Sequence, residues 1–355
     1  MTRIDRILDK MTQHGLDYLL VTDPHAIKYI IGYDNDPHER MYMMVLSTKG
    51  NHQLFFNQLF FVDRDLGLPI TWFDDGTDAL TLIADYIKDG RVIGVDKNIQ
   101  ARWLLPLMNS VEATFVLGSA CVDEVRAVKD PEEQAIMFRA SEINDLAMEE
   151  IRKLLATDKT EAEMGDELLK VYRSLDAIDH SFEPIFGYGA NGADPHHVCD
   201  DTRLKPGDSI ICDVGCVYQG YCSDMTRTFF YKEVSDKQRY VYNLVLKAQL
   251  AAEDAIKPGV KLCDIDAIAR NIITEGGYGP EFNHRLGHFI GQDVHEQGEA
   301  SPVSQIIAEE GMIFSVEPGV YIEGEFGVRI EDLVMVTHDG CKRLNNYPKE
   351  LTIID

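Results

Sequence analysis

No stretch of eighteen or more apolar residues occurs in the chain, so nothing in it reads as a membrane-spanning helix. The seven cysteines, Cys121, Cys199, Cys212, Cys216, Cys222, Cys263 and Cys341, are odd in number and form no CxxC pair. A disulfide framework or a cysteine-built zinc site is therefore not expected, and a reducing, cytoplasmic setting is. Basic residues are scarce as well. The 34 Lys and Arg stand against 60 Asp and Glu, a formal net charge of −26. Contact with nucleic-acid phosphates or an anionic membrane needs a basic face, so neither is an expected partner. There is no internal repeat and no low-complexity linker. The opening MTRIDRILDKMTQHGLDYLLV carries acids and lacks a signal-peptide cleavage pattern, so it reads as the start of a folded domain. Most of the acidity is accounted for by solubility; the rest calls for carboxylates gathered around cations.

The chain's 355 residues, 45% apolar and 26% charged, suit an ordinary globular protein of two domains or one large one. Residues 1–122 have the pattern of an α/β unit. A helix near Ile4–His14 precedes a strand at Asp17–Val21. MYMMVLST and HQLFFN read as adjacent strands joined at Lys49–Gly50–Asn51, and a helix near Ala79–Lys88 leads to the strand VIGVD and a further helix. Residues 123–355 read as an α+β domain with a hairpin-rich sheet. Its helices fall near Pro131–Leu155, Glu161–Leu175, Lys237–Ile256 and Cys263–Glu275, with Pro131 suited to a first helical turn. Strands fill Ile210–Tyr231 and the stretches Met312–Ile322 and Gly327–Thr337.

Two acid pairs stand out. SIICDVGCVYQGYCSDMTRTFFY reads as a hairpin turning near Tyr218–Gln219–Gly220, with Asp213 and Asp224 equidistant from its midpoint. Cross-strand neighbours lie about 5 Å apart, and two ionised carboxylates there repel unless a cation sits between them. FSVEPGVYIEGEFGVRIEDLVMV repeats the pattern, with Glu317 and Glu331 symmetric about Gly324. Four carboxylates so arranged can hold a pair of divalent ions. Further ligands are sought in HRLGHFIGQDVHE, which contains His284, His288 and His295. It is not the zinc-protease HExxH, because Arg285 follows the first histidine, and Gly287 and Gly291 argue against a helix. His14, His25, His38, His52, His180 and His338 read as surface or structural residues. Gly187–Gly192 is a literal GxGxxG, but the Ala-Asp-Pro-His-His after it does not open a helix, so it reads as a loop and not a dinucleotide site.

NGADPHH, LKPGDSIICDVGCVYQGYCSDMTRTF, HRLGHFIGQDVHE, FSVEPGVYI and GVRIED, in that order and spacing, resemble the Xaa-Pro dipeptidases (prolidases) and aminopeptidases P, in peptidase family M24 of the methionine-aminopeptidase-like superfamily. The resemblance implies a pita-bread (creatinase/aminopeptidase-like) catalytic domain behind a smaller α/β creatinase-like N-terminal domain. It implies two divalent ions, Mn2+ foremost with Co2+ or Zn2+ as alternatives, bound by Asp213, Asp224, His288, Glu317 and Glu331. Asp224 and Glu331 would bridge the ions, and Glu317 would also shuttle a proton from a water acidified between them. His196, His284 and His295 are implied at the reacting centre, with His196 and His295 contacting substrate. Arg329 is implied to support the site or bind a substrate carboxylate, and Tyr321 and Thr226 to back it. The implied substrates are short proline-containing peptides, and the implied assembly is a homodimer.

One position departs from the pattern. Many prolidases carry an arginine four residues after the second histidine, where it can pair with a dipeptide's terminal carboxylate; here that residue is Glu299, whose charge is expected to repel one. Dipeptides and longer peptides both stay open as substrates. The competing readings are another small-molecule hydrolase or lyase on the same scaffold, and a non-catalytic binding protein; the retained ligands weigh against the second.

Overall fold

The computed structural model describes residues 1–355, which divide into two compact units, Met1–Arg126 and Ala127–Asp355. The first unit is built on a six-stranded sheet. Its strands run, edge to edge, Ile70–Phe73, Gln53–Asn57, Met43–Ser47, Tyr18–Val21, Val92–Val95 and Thr114–Leu117. Met43–Ser47 is antiparallel to both its neighbours, and the remaining pairings are parallel. Successive side chains of a strand point to opposite faces. Accordingly Leu19 and Val21 join one apolar cluster while Tyr18 and Leu20 join another, so both faces of the sheet are buried.

Helices Arg3–Gln13, Ala79–Ile87 and Ala101–Ser110 fall where helical patterns are legible in the sequence. Two short ones do not stand out there. Pro24–Ile31 is capped by Asp23, whose carboxylate accepts from the His25 N–H, and ends on Gly32 in a left-handed conformation, φ 66°. Ala120–Ala127 contributes Cys121, Val122 and Val125 to the first unit's core.

The second unit is α+β. A four-stranded sheet runs Ile353–Ile354, Met225–Tyr231, Ser209–Val214, Ile185–Tyr188, and a five-stranded sheet runs Glu296–Ala300, Gly287–Phe289, Ile313–Val316, Asp332–Val336, Cys341–Arg343. Each carries a pair of helices. Pro131–Leu154, opened by a capping box between Asp130 and Glu133, packs with Glu161–Ser174 on the first sheet through Ile143, Met164, Phe186, Ile210 and Phe229. Asp236–Ala255 and Leu262–Glu275 pack on the second through Val245, Ala248, Ile265, Phe314 and Val334.

The two sheets are laced together through the middle. The Glu331 N–H donates to the Thr226 carbonyl (3.1 Å), and the Thr228 hydroxyl to the Arg329 carbonyl (2.8 Å). The buried Arg227 guanidinium binds the Glu331 carbonyl and the Asp332 carboxylate at 2.6 and 2.7 Å. This seam brings the two acid pairs to one place. No helix is long and apolar enough to cross a membrane.

Candidate metal centre

The first acid pair is not the simple hairpin expected. Strands Ser209–Val214 and Met225–Tyr231 are antiparallel, but their register sets Asp213 opposite Thr226, not Asp224. The intervening chain breaks into the short strands Cys216–Tyr218 and Tyr221–Cys222. Gly215 makes the break: a Cβ there would lie 2.1 Å from the Ser223 carbonyl oxygen. Asp224 sits just before the sheet resumes, and its charge still acts on that of Asp213, both acids being buried. The second pair has the expected register. Val316 lies opposite Asp332 and Gly319 opposite Arg329, which places Glu317 and Glu331 face to face.

His288 enters from the adjacent strand. Its N–H donates to the Ser315 hydroxyl (2.9 Å). The strands come this close because residue 287 is glycine, whose Cβ would fall 1.8 Å from the Ser315 carbonyl oxygen. The His288 Nδ1 lies 3.2 Å from the Phe289 carbonyl. A carbonyl only accepts, so Nδ1 carries the proton and Nε2 presents a lone pair. That lone pair stands 3.5 Å from Asp224 Oδ2 and 3.4 Å from Glu317 Oε1.

Acceptors facing acceptors need a cation. Asp213 Oδ1, Asp224 Oδ1 and Glu331 Oε1 are buried without a hydrogen-bond partner, and ligand atoms of Asp224, His288 and Glu331 lie within 4.8 Å of one another. Burial, then the charges of Asp213 and Glu317, pushes the Asp224 carboxyl well above the usual range. Burial, then Asp224, Glu317 and Asp213, does the same to Glu331, and burial also raises Glu317. Oxygen-rich, anionic and orphaned, this donor set fits hard or borderline divalent ions.

A single hydrogen-bonded network supports it. His284 Nδ1 faces the Arg285 carbonyl at 2.7 Å, so its Nε2 accepts from the Tyr321 hydroxyl at 3.0 Å. Arg329 Nη1 donates to that hydroxyl (2.7 Å), Nη2 to Asp213 Oδ2 (2.5 Å) and Nε to the Thr226 hydroxyl (3.1 Å), which in turn donates to Glu331 Oε2 (2.7 Å). Burial, reinforced by Arg329, lowers His284 to about 4. Burial and the neighbouring His288 lower His295 to about 4, the two rings meeting edge to face at 4.3 Å. A cavity of about 600 Å³ opens over the acids, and His196, His284, His295 and Arg329 also line it. The arrangement can bind divalent metal beside neutral imidazoles.

The model of metallopeptidase family M24 matches residues 135–338, and that of the creatinase/prolidase N-terminal domain matches residues 3–128. The chain belongs to metallopeptidase family M24. An uncharacterized peptidase of Staphylococcus aureus is 32% identical over 362 aligned positions, spanning 98% of this chain and 100% of that protein. Among solved structures, dipeptidase PepE of Mycobacterium ulcerans superposes with a TM-score of 0.94 at 32% identity, covering 99% of this chain and 97% of the other. The Xaa-Pro dipeptidase of Bacillus anthracis does so at 0.90 and 32% identity, covering 99% of both. The fold is thus the two-domain creatinase/aminopeptidase P-like one, with a pita-bread M24 domain.

In this M24 domain the sequence-predicted residues line the cavity or, like Tyr321 and Thr226, hold Arg329 behind it, with one exception. Glu299 does not line it. Glu299 pairs across the ladder with His288 and binds Arg285 Nη1 (3.0 Å) and the Ser301 hydroxyl (2.8 Å). Arg285 does line the cavity and was not singled out by sequence reasoning, although it stands inside the HRLGH motif. Also missed is the fully buried Glu161, on the helix that packs beneath the loop carrying His196. Its carboxylate accepts from the Tyr188 N–H (2.8 Å), the Asn191 amide (3.0 Å) and the Asp200 N–H (3.1 Å), and meets His197 Nε2 at 2.6 Å. No sequence signal marks it beyond its place in the first turn of a helix.

The GxGxxG stretch is a strand end followed by a short 3-10 helix, Gly189–Ala193. Its glycines serve packing: the Gly192 carbonyl oxygen would lie 1.8 Å from a Cβ at Gly327, so the loop rests directly on the Phe326–Arg329 strand that delivers Arg329.

Proposed function

We propose that this M24 metallopeptidase hydrolyses the peptide bond before proline, in Xaa-Pro dipeptides or at the Xaa-Pro N-terminus of short peptides. The observation that carries the reading is the set of orphaned carboxylate oxygens on Asp213, Asp224 and Glu331, with the His288 lone pair aimed among them. The relatives named as dipeptidases and Xaa-Pro dipeptidases support the substrate class. So does the apolar side of the cavity, where Phe182, Ile185 and Val294 offer a surface to a proline ring.

Asp213 would hold one ion, His288 and Glu317 the other, and Asp224 and Glu331 both. When bound, the ions supply Lewis acidity toward the scissile carbonyl and toward water. Glu317 would take up the proton that the attacking water loses and pass it to the departing proline nitrogen; the Ser315 hydroxyl, donating to its Oε1 at 3.1 Å, holds the carboxylate in place. His295 and His196, at the cavity's edge, donate to charge developing on the substrate. His284 orients Tyr321 and through it Arg329. The oxygen-rich donors favour manganese, with cobalt and zinc as competitors to be measured. The seven free thiols suit a cytoplasmic protein, and a homodimer is the assembly proposed.

The test is an assay of the manganese-loaded protein on Ala-Pro, Ala-Pro-Ala and Ala-Ala. Cleavage of the proline peptides well above Ala-Ala is expected. Failure on all three would move the weight to another hydrolytic or lyase reaction on this scaffold.

A further inference from the structure

Two arginines line the cavity, and they are not equivalent. Arg329 is already engaged at all three nitrogens: Nε, Nη1 and Nη2 donate to Thr226, Tyr321 and Asp213, and Nη1 also reaches the Pro195 carbonyl at 3.5 Å. Little of its fork is left for a ligand. Arg285 makes one contact, from Nη1 to Glu299 Oε2 at 3.0 Å, and its Nε and Nη2 have no protein partner. Its side chain is buried to about two-thirds, 34% exposed, rather than free in solvent.

Glu299 is tied at both oxygens. Oε1 accepts from the Ser301 hydroxyl and Oε2 from Arg285, and these bonds keep its carboxylate ionised by lowering its pKa. It stands opposite His288 on the neighbouring strand, so the guanidinium it holds is anchored to the same ladder as a metal-ligand residue. Arginine's planar fork can serve two carboxylates at once, one along each edge, which a lysine cannot do with fixed geometry. The acid at position 299 therefore does not repel an incoming carboxylate directly; it holds the cation that meets it.

We propose that Arg285 receives the free terminal carboxylate of a dipeptide substrate, with Glu299 as its positioning residue, so that the site selects dipeptides over longer or blocked peptides. The inference rests on the peptidase reading above and adds the recognition of the substrate's far end. A peptide one residue longer carries its carboxylate beyond reach, and an amide has no charge for the guanidinium to pair with.

The experiment measures kcat and KM separately for Ala-Pro and Ala-Pro-amide, in the metal-loaded wild type, Arg285→Gln and Glu299→Gln. Wild type is expected to favour the acid. In Arg285→Gln that preference falls about tenfold or more, through KM for the acid, as suits the loss of a charge-assisted hydrogen bond. Glu299→Gln shifts it the same way by a smaller factor, because the cation remains but is no longer held. Inhibition of the wild type by free proline and by prolinamide gives a reading independent of any variant's folding: proline is expected to bind about tenfold more tightly. Equal inhibition by the two, or a KM that rises alike for acid and amide in Arg285→Gln, would overturn the inference while leaving the peptidase reading intact. A wild type that cleaves neither substrate would overturn both.

Discussion

Arg329 and Asp213 are joined at 2.5 Å, and the same guanidinium also holds Tyr321 and Thr226. One side chain thus sets the orientation of a carboxylate of the acid cluster and, through Thr226, of Glu331 across the seam. A lysine would keep the charge and lose the fork. Arg329→Lys is predicted to weaken manganese binding roughly 10- to 100-fold, the usual cost of removing a partner that orients a metal ligand. Calorimetric titration of the metal-depleted variant measures it; affinity within about twofold of wild type would show that the fork is dispensable.

Glu331 makes a sharper case because its carboxylate is at odds with its surroundings when no cation is present. Its Oε1 is buried without a partner, and burial, then the charges of Asp224, Glu317 and Asp213, raises its pKa. Glu331→Gln keeps an acceptor for the Thr226 hydroxyl and removes one charge. The metal-free variant is predicted to be more stable than the metal-free wild type by roughly 1–2 kcal/mol, through relief of like-charge repulsion. Its gain in melting temperature on adding manganese should be smaller. Urea unfolding with and without metal reads both effects.

Glu161 is predicted to matter for the loop that presents His196. Removing its side chain leaves the Tyr188 and Asp200 N–H groups, the Asn191 amide and His197 without their shared acceptor. Buried hydrogen bonds to a charged group contribute about 1.5–3 kcal/mol each in single deletions, and they are not additive here because one group serves all. Glu161→Ala is expected to lose about 3 kcal/mol or more in chemical unfolding. A loss below about 1 kcal/mol would mean that the loop is held by other means.

Asp145 supplies a pH prediction away from the acid cluster. Burial raises its pKa from 3.8 to about 6, against the opposing effect of the Asn346 and Tyr347 N–H groups that donate to it at 2.7 and 3.2 Å. A raised folded-state pKa means that the folded chain holds the proton more tightly than the unfolded chain does. The contribution is fully present below about pH 4 and is lost as pH rises through about 6. Relative to wild type, Asp145→Asn should therefore gain stability between pH 4 and 7, by roughly 1–2 kcal/mol once partial solvent screening is allowed for. Paired unfolding curves across that range check the sign.

Much of this was legible in the chain itself, for physical reasons that differ from residue to residue. The long helices show because their apolar faces recur at helical spacing, as with Ile143, Ala147 and Ile151 in Pro131–Leu154. Glu317 and Glu331 could be paired by symmetry alone, since the chain around Gly324 keeps one register on both sides of them. The same symmetry argument misplaced Asp213 and Asp224. The hairpin turns at Gln219–Gly220, both at positive φ, so its centre lies one residue later than the acids' midpoint, Tyr218 pairs with Tyr221, and the same register sets Asp213 opposite Thr226. Glu299 was read by its own charge, and its partner Arg285 lies fourteen positions earlier, on a neighbouring segment. Glu161 was invisible because an acid opening a helix is common, and only the folded loop above it reveals what it holds.

The central claim is that Asp213, Asp224, His288, Glu317 and Glu331 together hold two divalent cations. Titrating the metal-depleted protein with manganese, counting bound ions and following the melting temperature, tests it most directly. The account predicts two ions per chain and a rise in melting temperature that Asp224→Asn reduces. A chain that takes up no manganese, with an unchanged melting temperature, or one whose uptake is the same in Asp224→Asn, would contradict it.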